Sequence, residues 1–116
     1  MKKSVARKIL KIVGPQNFLT DPADLACYSY DASSISSLPK AVVMPVSTEE
    51  VSQILSLANQ EGLAVSPRGA GTGTTGASVP IKGGLALCLA RMNRIISINP
   101  KDLTALVEPG LGLRIC

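Results

Sequence analysis

The strongest constraint on the fold is the stretch from Ala41 to Ser78, which reads strand, capped helix, strand and then glycine-rich loop. Ala41-Val42-Val43-Met44 is apolar and β-branched, and Pro45 stops it. Ser47 and Glu50 then stand at capping-box spacing, and Val51, Ile54, Leu55 and Ala58 recur at helical intervals. Gly62 supplies a left-handed stop, after which Leu63-Ala64-Val65 reads as a second short strand. Strand, helix and strand in this order make a βαβ unit, for which a right-handed crossover is expected.

The flanks fit the same layered arrangement. Residues 4–13 read as a helix with Val5, Ile9, Ile12 and Val13 inward, ended by Gly14-Pro15. Asp21-Pro22 can open a short helix, and residues 33–39 read as loop. Leu85 to Leu89 is a buried strand, while Arg94–Ile98 and Leu103–Val107 pair as a hairpin around Asn99-Pro100-Lys101-Asp102. At 116 residues there is room for one domain with a modest core. Aromatic residues are only 3%, namely Phe18, Tyr28 and Tyr30, so Val, Ile, Leu and Ala must build that core. The expected class is α/β (α+β): a small mixed sheet with a βαβ unit and a hairpin, flanked by helices.

Charge is unevenly placed. Lys2, Lys3, Arg7, Lys8 and Lys11 hold five of the twelve basic residues behind the net charge of +4. A basic amphipathic start fits either an ordinary solvated helix or contact with nucleic acid or a membrane surface. No basic stripe interleaved with aromatics follows, so no nucleic-acid partner is expected. No apolar run is long enough for a secretory signal or a membrane span. Cys27, Cys88 and Cys116 are odd in number and lack metal-ligand spacing, which fits a reduced, cytoplasmic setting and no metal site. The chain has no His, so a His base or ligand is excluded within it.

Chemistry concentrates in Ser66-Pro67-Arg68-Gly69-Ala70-Gly71-Thr72-Gly73-Thr74-Thr75-Gly76-Ala77-Ser78. Glycines admit close backbone approach, successive N–H groups form an oxyanion nest, and hydroxyls add neutral donors. Arg68 can bind phosphate or form an internal ion pair. A plain surface loop is the rival reading. No Gly-Lys-Ser/Thr follows, which disfavours a triphosphatase loop. Gly71, Gly73 and Gly76 fit GxGxxG, but Val79-Pro80 and Gly83-Gly84 follow instead of a helix, against a Rossmann turn.

Pro67-Arg68-Gly69-Ala70-Gly71-Thr72-Gly73 resembles the pyrophosphate loop of FAD-linked oxidases of the vanillyl-alcohol oxidase and para-cresol methylhydroxylase (PCMH) type. Tyr28-Ser29-Tyr30-Asp31, Val42-Val43-Met44-Pro45 and Ser47-Thr48-Glu49-Glu50-Val51 precede it in the family's order. Leu89-Ala90-Arg91-Met92-Asn93-Arg94-Ile95 and Val107-Glu108-Pro109-Gly110 follow it. The branch resembled is that of the glycolate oxidase flavin subunit and the D-lactate dehydrogenases.

The resemblance implies FAD, its pyrophosphate held by Pro67, Arg68, Gly69, Ala70, Gly71, Thr72, Gly73, Gly76 and Ala77. Relatives that attach flavin through this loop carry His at the position of Thr72, so non-covalent binding is implied. The implied substrate is a small 2-hydroxy acid, with electrons leaving to a quinone, an iron–sulfur subunit or a cytochrome. Residues 1–40 then form a helical and loop segment, and residues 41–116 the first part of the PCMH-type FAD-binding domain. The family's domain continues past Glu108-Pro109-Gly110, so a truncated, self-associating and catalytically silent piece is expected, with its catalytic residues elsewhere. A location in the cytoplasm, or peripheral at the inner membrane face, goes with that reading. The alternative is a stand-alone nucleotide- or anion-binding module. Asp31 reads as a turn or cap, Arg91 and Arg94 as solvated surface, Cys88 as core and Glu108 as a turn residue.

Overall fold

The computed structural model describes residues 3–27, 38–69 and 84–111. Helix α1 (Lys3–Val13) leads through a 3-10 turn (Pro15–Asn17) to strand β1 (Phe18–Leu19) and helix α2 (Pro22–Cys27). Strand β2 (Ala41–Val43), helix α3 (Thr48–Glu61) and strands β3 (Val65–Arg68) and β4 (Leu85–Cys88) follow. Strands β5 (Ile95–Asn99) and β6 (Thr104–Val107) close the described chain.

Each helix is set by its apolar spacing and its ends. Val5, Ile9 and Val13 recur along α1 and are all buried, with Ile12 half-buried beside them. In α3 the Ser47 hydroxyl accepts the Glu50 N–H at 3.2 Å. The Glu50 carboxylate reaches back to the Val46 N–H at 3.1 Å, one residue before the cap. At the far end Gly62 has φ 66°, and its N–H donates to the Ala58 carbonyl. The inward face is Ile54, Leu57 and Ala58, whereas Leu55 is 46% exposed. The expected face was thus rotated: positions 51, 54 and 58 gather on one side with 57, and 55 lies a quarter-turn away.

The main sheet has the order β1-β2-β4-β3. β1 is antiparallel to β2, while β4 runs parallel to both β2 and β3. β2 and β3, joined by α3, are therefore separated by β4. The second strand falls at Val65–Arg68 rather than Leu63–Val65, taking in the start of the glycine-rich segment. Pro67, which has no N–H to give, is tolerated because β3 is an edge strand. The two-residue β1 had no sequence signal, and it pairs Phe18 with Val43 and Leu19 with Val42.

One face of the sheet, Ala41, Val43, Leu85 and Leu87, packs under α1 and α3 through Val5, Ile9, Val13, Ile54 and Leu57. The opposite face, Val42, Ala86 and Cys88, packs against Leu25 of α2. β4 is buried along its whole length. Separate from this sheet, β5 and β6 form an antiparallel hairpin, with Asn99 opposite Thr104 and Ile95 opposite Val107. Asn99 shapes the turn, its Oδ1 accepting the Lys101 N–H at 3.2 Å and its Nδ2 donating to Asp102 at 2.8 Å.

Candidate functional site

The three parallel strands β2, β4 and β3 end along one edge, and α3 starts from that same edge through the short Met44–Ser47 connection. Ligands of open α/β sheets bind beyond the carboxyl ends of parallel strands. The glycine-rich segment leaves β3 at this edge. Of its proposed binding residues, Pro67, Arg68 and Gly69 are described. Ala70, Gly71, Thr72, Gly73, Gly76 and Ala77 lie outside the described residues, as do Asp31 and most of the expected loop at residues 33–39.

The described residues at the exit divide between two faces. Arg68 stands opposite Cys88 in the ladder and is only 8% exposed. It therefore shares the face that carries Ala86 and Cys88. Its carbonyl accepts the Leu89 N–H at 2.9 Å, which extends the ladder one step past β4. Pro67 points the other way, into an apolar groove of about 450 Å³ shared with Val51, Leu55, Leu89, Met92 and Pro109. At Gly69 a Cβ would meet no atom of the other described residues within 4 Å. Buried Arg68 thus stands directly before a Gly69 that the other described residues leave uncrowded.

A clasp joins the base of the hairpin. Glu108 accepts from Arg94 Nε at 2.8 Å, from Arg94 Nη2 at 3.3 Å and from the Arg94 N–H at 3.0 Å. The Glu108 N–H donates in return to the Arg94 carbonyl at 2.9 Å. Hydrogen bonds from the Arg94 side chain and N–H hold the Glu108 carboxyl below its ordinary range, and the Glu108 carboxylate raises Arg94. Glu108 is buried rather than a plain turn residue, because the ladder that sets Ile95 opposite Val107 also sets residue 94 opposite 108. That register was the signal available in the sequence. Gly110 follows, its N–H donating to the Met92 carbonyl at 2.7 Å, and a Cβ there would lie 1.8 Å from the Leu89 carbonyl oxygen. Only glycine fits that contact.

The sequence of residues 39–114 matches the FAD binding domain family. The chain belongs to that family. Its cofactor is accordingly FAD. The match spans β2 through β6, with the glycine-rich segment inside it. The chain is 39% identical over 110 residues to the glycolate oxidase subunit GlcD of Bacillus subtilis, covering 94% of this chain and 23% of that protein. It is 38% identical over 95 residues to D-2-hydroxyglutarate dehydrogenase of Xanthomonas citri, covering 81% of this chain and 20% of the relative. The chain thus spans about a quarter of the length of the curated relatives it matches. A solved structure of p-cresol methylhydroxylase with substrate bound superposes with a TM-score of 0.83 at 26% identity. That match covers 93% of this chain and 22% of the other. The PCMH-type fold expected from the residues is the fold observed. Among the described residues, no helix is long and apolar enough to cross a membrane.

Proposed function

We propose that this chain provides the pyrophosphate cradle for FAD in an oxidoreductase that acts on a small 2-hydroxy acid. The observation that carries the reading is the exit of β3. Inside the FAD-binding match, the chain passes from buried Arg68 to Gly69, where an added Cβ would meet none of the other described residues within 4 Å. Pro67, Arg68, Gly69, Ala70, Gly71, Thr72, Gly73, Gly76 and Ala77 are the proposed contacts. Backbone N–H groups of the segment donate to phosphate oxygens, and Thr72 leaves the flavin without a covalent tether. Arg68 sets a positive charge at the carboxyl end of β3, held in place by its ladder to Cys88 and Leu89. When bound, the flavin supplies hydride acceptance.

The names of the relatives, a glycolate oxidase subunit and a D-2-hydroxyglutarate dehydrogenase, support a 2-hydroxy acid as substrate. A quinone or an iron–sulfur subunit is the proposed electron acceptor. The test is an FAD titration followed by flavin fluorescence. A Cβ at Gly69 meets no other described residue within 4 Å, so Gly69→Val should fold normally. Gly69→Val and Gly71→Val should each weaken FAD binding by roughly a hundredfold, with unchanged circular dichroism. Unaltered affinity in both variants would remove the cradle from this segment.

A further inference from the structure

The charge that composition assigns to the N-terminus is organised by the structure. Along α1, Lys3, Arg7 and Lys11 are spaced by four residues and form one exposed stripe, with Lys8 and Ser4 beside it. The stripe runs about 12 Å at the rise of an α-helix. These four cations equal the whole net charge of the chain, +4. Among the described residues no carboxylate pairs with them. α1 itself contains no acidic residue. Glu49, Glu50 and Glu61 lie on α3, the helix packed against it, and Glu50 is bound to the Val46 N–H. Among the described residues the sole ion pair within 4.0 Å is Arg94–Glu108, at the far end of the chain.

Such a stripe gives little back to the helix that bears it: only Lys11, in the last turn, suits the helix dipole. Like charges four residues apart disfavour an isolated helix, and a cation in the first turn opposes the helix dipole. Val5, Ile9 and Val13 hold α1 against the core despite both. The cations are therefore displayed outward on a rigid support.

We infer that the exposed face of α1 docks on an anionic phospholipid surface. Three of the four cations are lysines, compact point charges suited to a diffuse negative surface and not to paired recognition of one phosphate or carboxylate. Leu10, 37% exposed, borders the stripe and can enter the headgroup boundary. The helix carries no aromatic side chain for stacking on bases. With its apolar face committed to the core, α1 contributes charge and not deep insertion, so the contact is salt-sensitive. The inference is independent of the flavin reading, since α1 lies outside residues 39–114.

The experiment is vesicle co-sedimentation of the 116-residue chain. The probes are vesicles of phosphatidylcholine alone and of phosphatidylcholine with phosphatidylserine at 7:3. The chain should partition onto the anionic vesicles at least about tenfold more strongly than onto neutral ones at low salt, and lose that preference at high salt. The variant Lys3→Gln/Arg7→Gln/Lys8→Gln/Lys11→Gln should fall to the neutral-vesicle level. Its circular dichroism and FAD titration should match the parent, which separates this result from any failure of the cofactor assignment. Equal binding to both vesicle types overturns the inference, and so does undiminished binding by the quadruple variant. Binding to an acidic protein or an oligonucleotide at the same salt, with none to the anionic vesicles, overturns it too.

Discussion

The main sheet and the β5–β6 hairpin have similar strand composition and opposite surroundings. β2 and β4 are built from Ala, Val, Leu and Cys, and every one of their residues is buried between helices. β5 and β6 carry Ile95, Ile96, Ile98, Leu106 and Val107, and every residue of both strands is exposed. Apolar, β-branched sequence therefore specified strand in both places, but it specified burial in only one. The main sheet is held by apolar contact on two faces. The hairpin is held by its ladder, the Asn99 turn and the Arg94–Glu108 clasp, and an isolated two-stranded hairpin is marginal in water. Its apolar side chains find no cover among the described residues. Leu103, at the turn, is 91% exposed with φ 56°.

The contrast breaks most directly by trimming one isoleucine in each region. Ile54 is fully buried beneath the main sheet, so Ile54→Ala should cost about 2–5 kcal/mol in urea unfolding. Ile98 is 63% exposed, and Ile98→Ala should change the same midpoint by no more than about 0.5 kcal/mol. Comparable losses at the two sites would mean that the hairpin is covered in solution. A smaller effect tests the scaffold that positions β3. Ser47→Ala removes the acceptor for the Glu50 N–H and should cost about 1 kcal/mol, read from the same unfolding curve.

The smallest and most local effect concerns acid. Because the Glu108 carboxyl is held below its ordinary range, the clasp contributes fully above the unfolded-state value, about 4.3 for Glu. Its contribution declines as pH falls below that and through the lower folded-state value. Amide exchange of residues 95–99 and 104–107 should accelerate across that acid range while exchange in β4 lags behind. Glu108→Gln should show the faster hairpin exchange already at neutral pH. Simultaneous loss of protection in both sheets would contradict their energetic separation.

Much of this was legible because local chemistry and packing agreed. Ser47, Glu50 and Gly62 marked both ends of α3, and residues 39–114, with the glycine-rich segment inside them, carried the signature of the FAD-binding family. The misses have identifiable causes. β1 is too short to carry a period, and Phe18 and Leu19 are strand only because β2 offers an edge. Sequence alone ends β3 too early, because Pro67 opposes a strand unless the strand is an edge, and edge position is a property of topology. Glu108 looked like punctuation before Pro109-Gly110, since its partner Arg94 lies across a ladder and not along the chain.

The strand order has a consequence for how the molecule comes to exist. β4 is the last strand of the main sheet in sequence, yet it lies in the middle and pairs with both β2 and β3. As a ribosome delivers the chain from its N-terminus, Ala41–Val43 and Val65–Arg68 emerge first, and neither is the other's partner. α3 can tether them, but it cannot supply the missing ladder. Each strand keeps an open edge until residues 85–88 arrive to pair with both. The glycine-rich segment thus has a part in assembly before any ligand is present. The sheet depends on two non-local pairings of β4, with β3 across this segment and with β2 at longer range, and such steps slow folding and leave strand edges open to wrong partners.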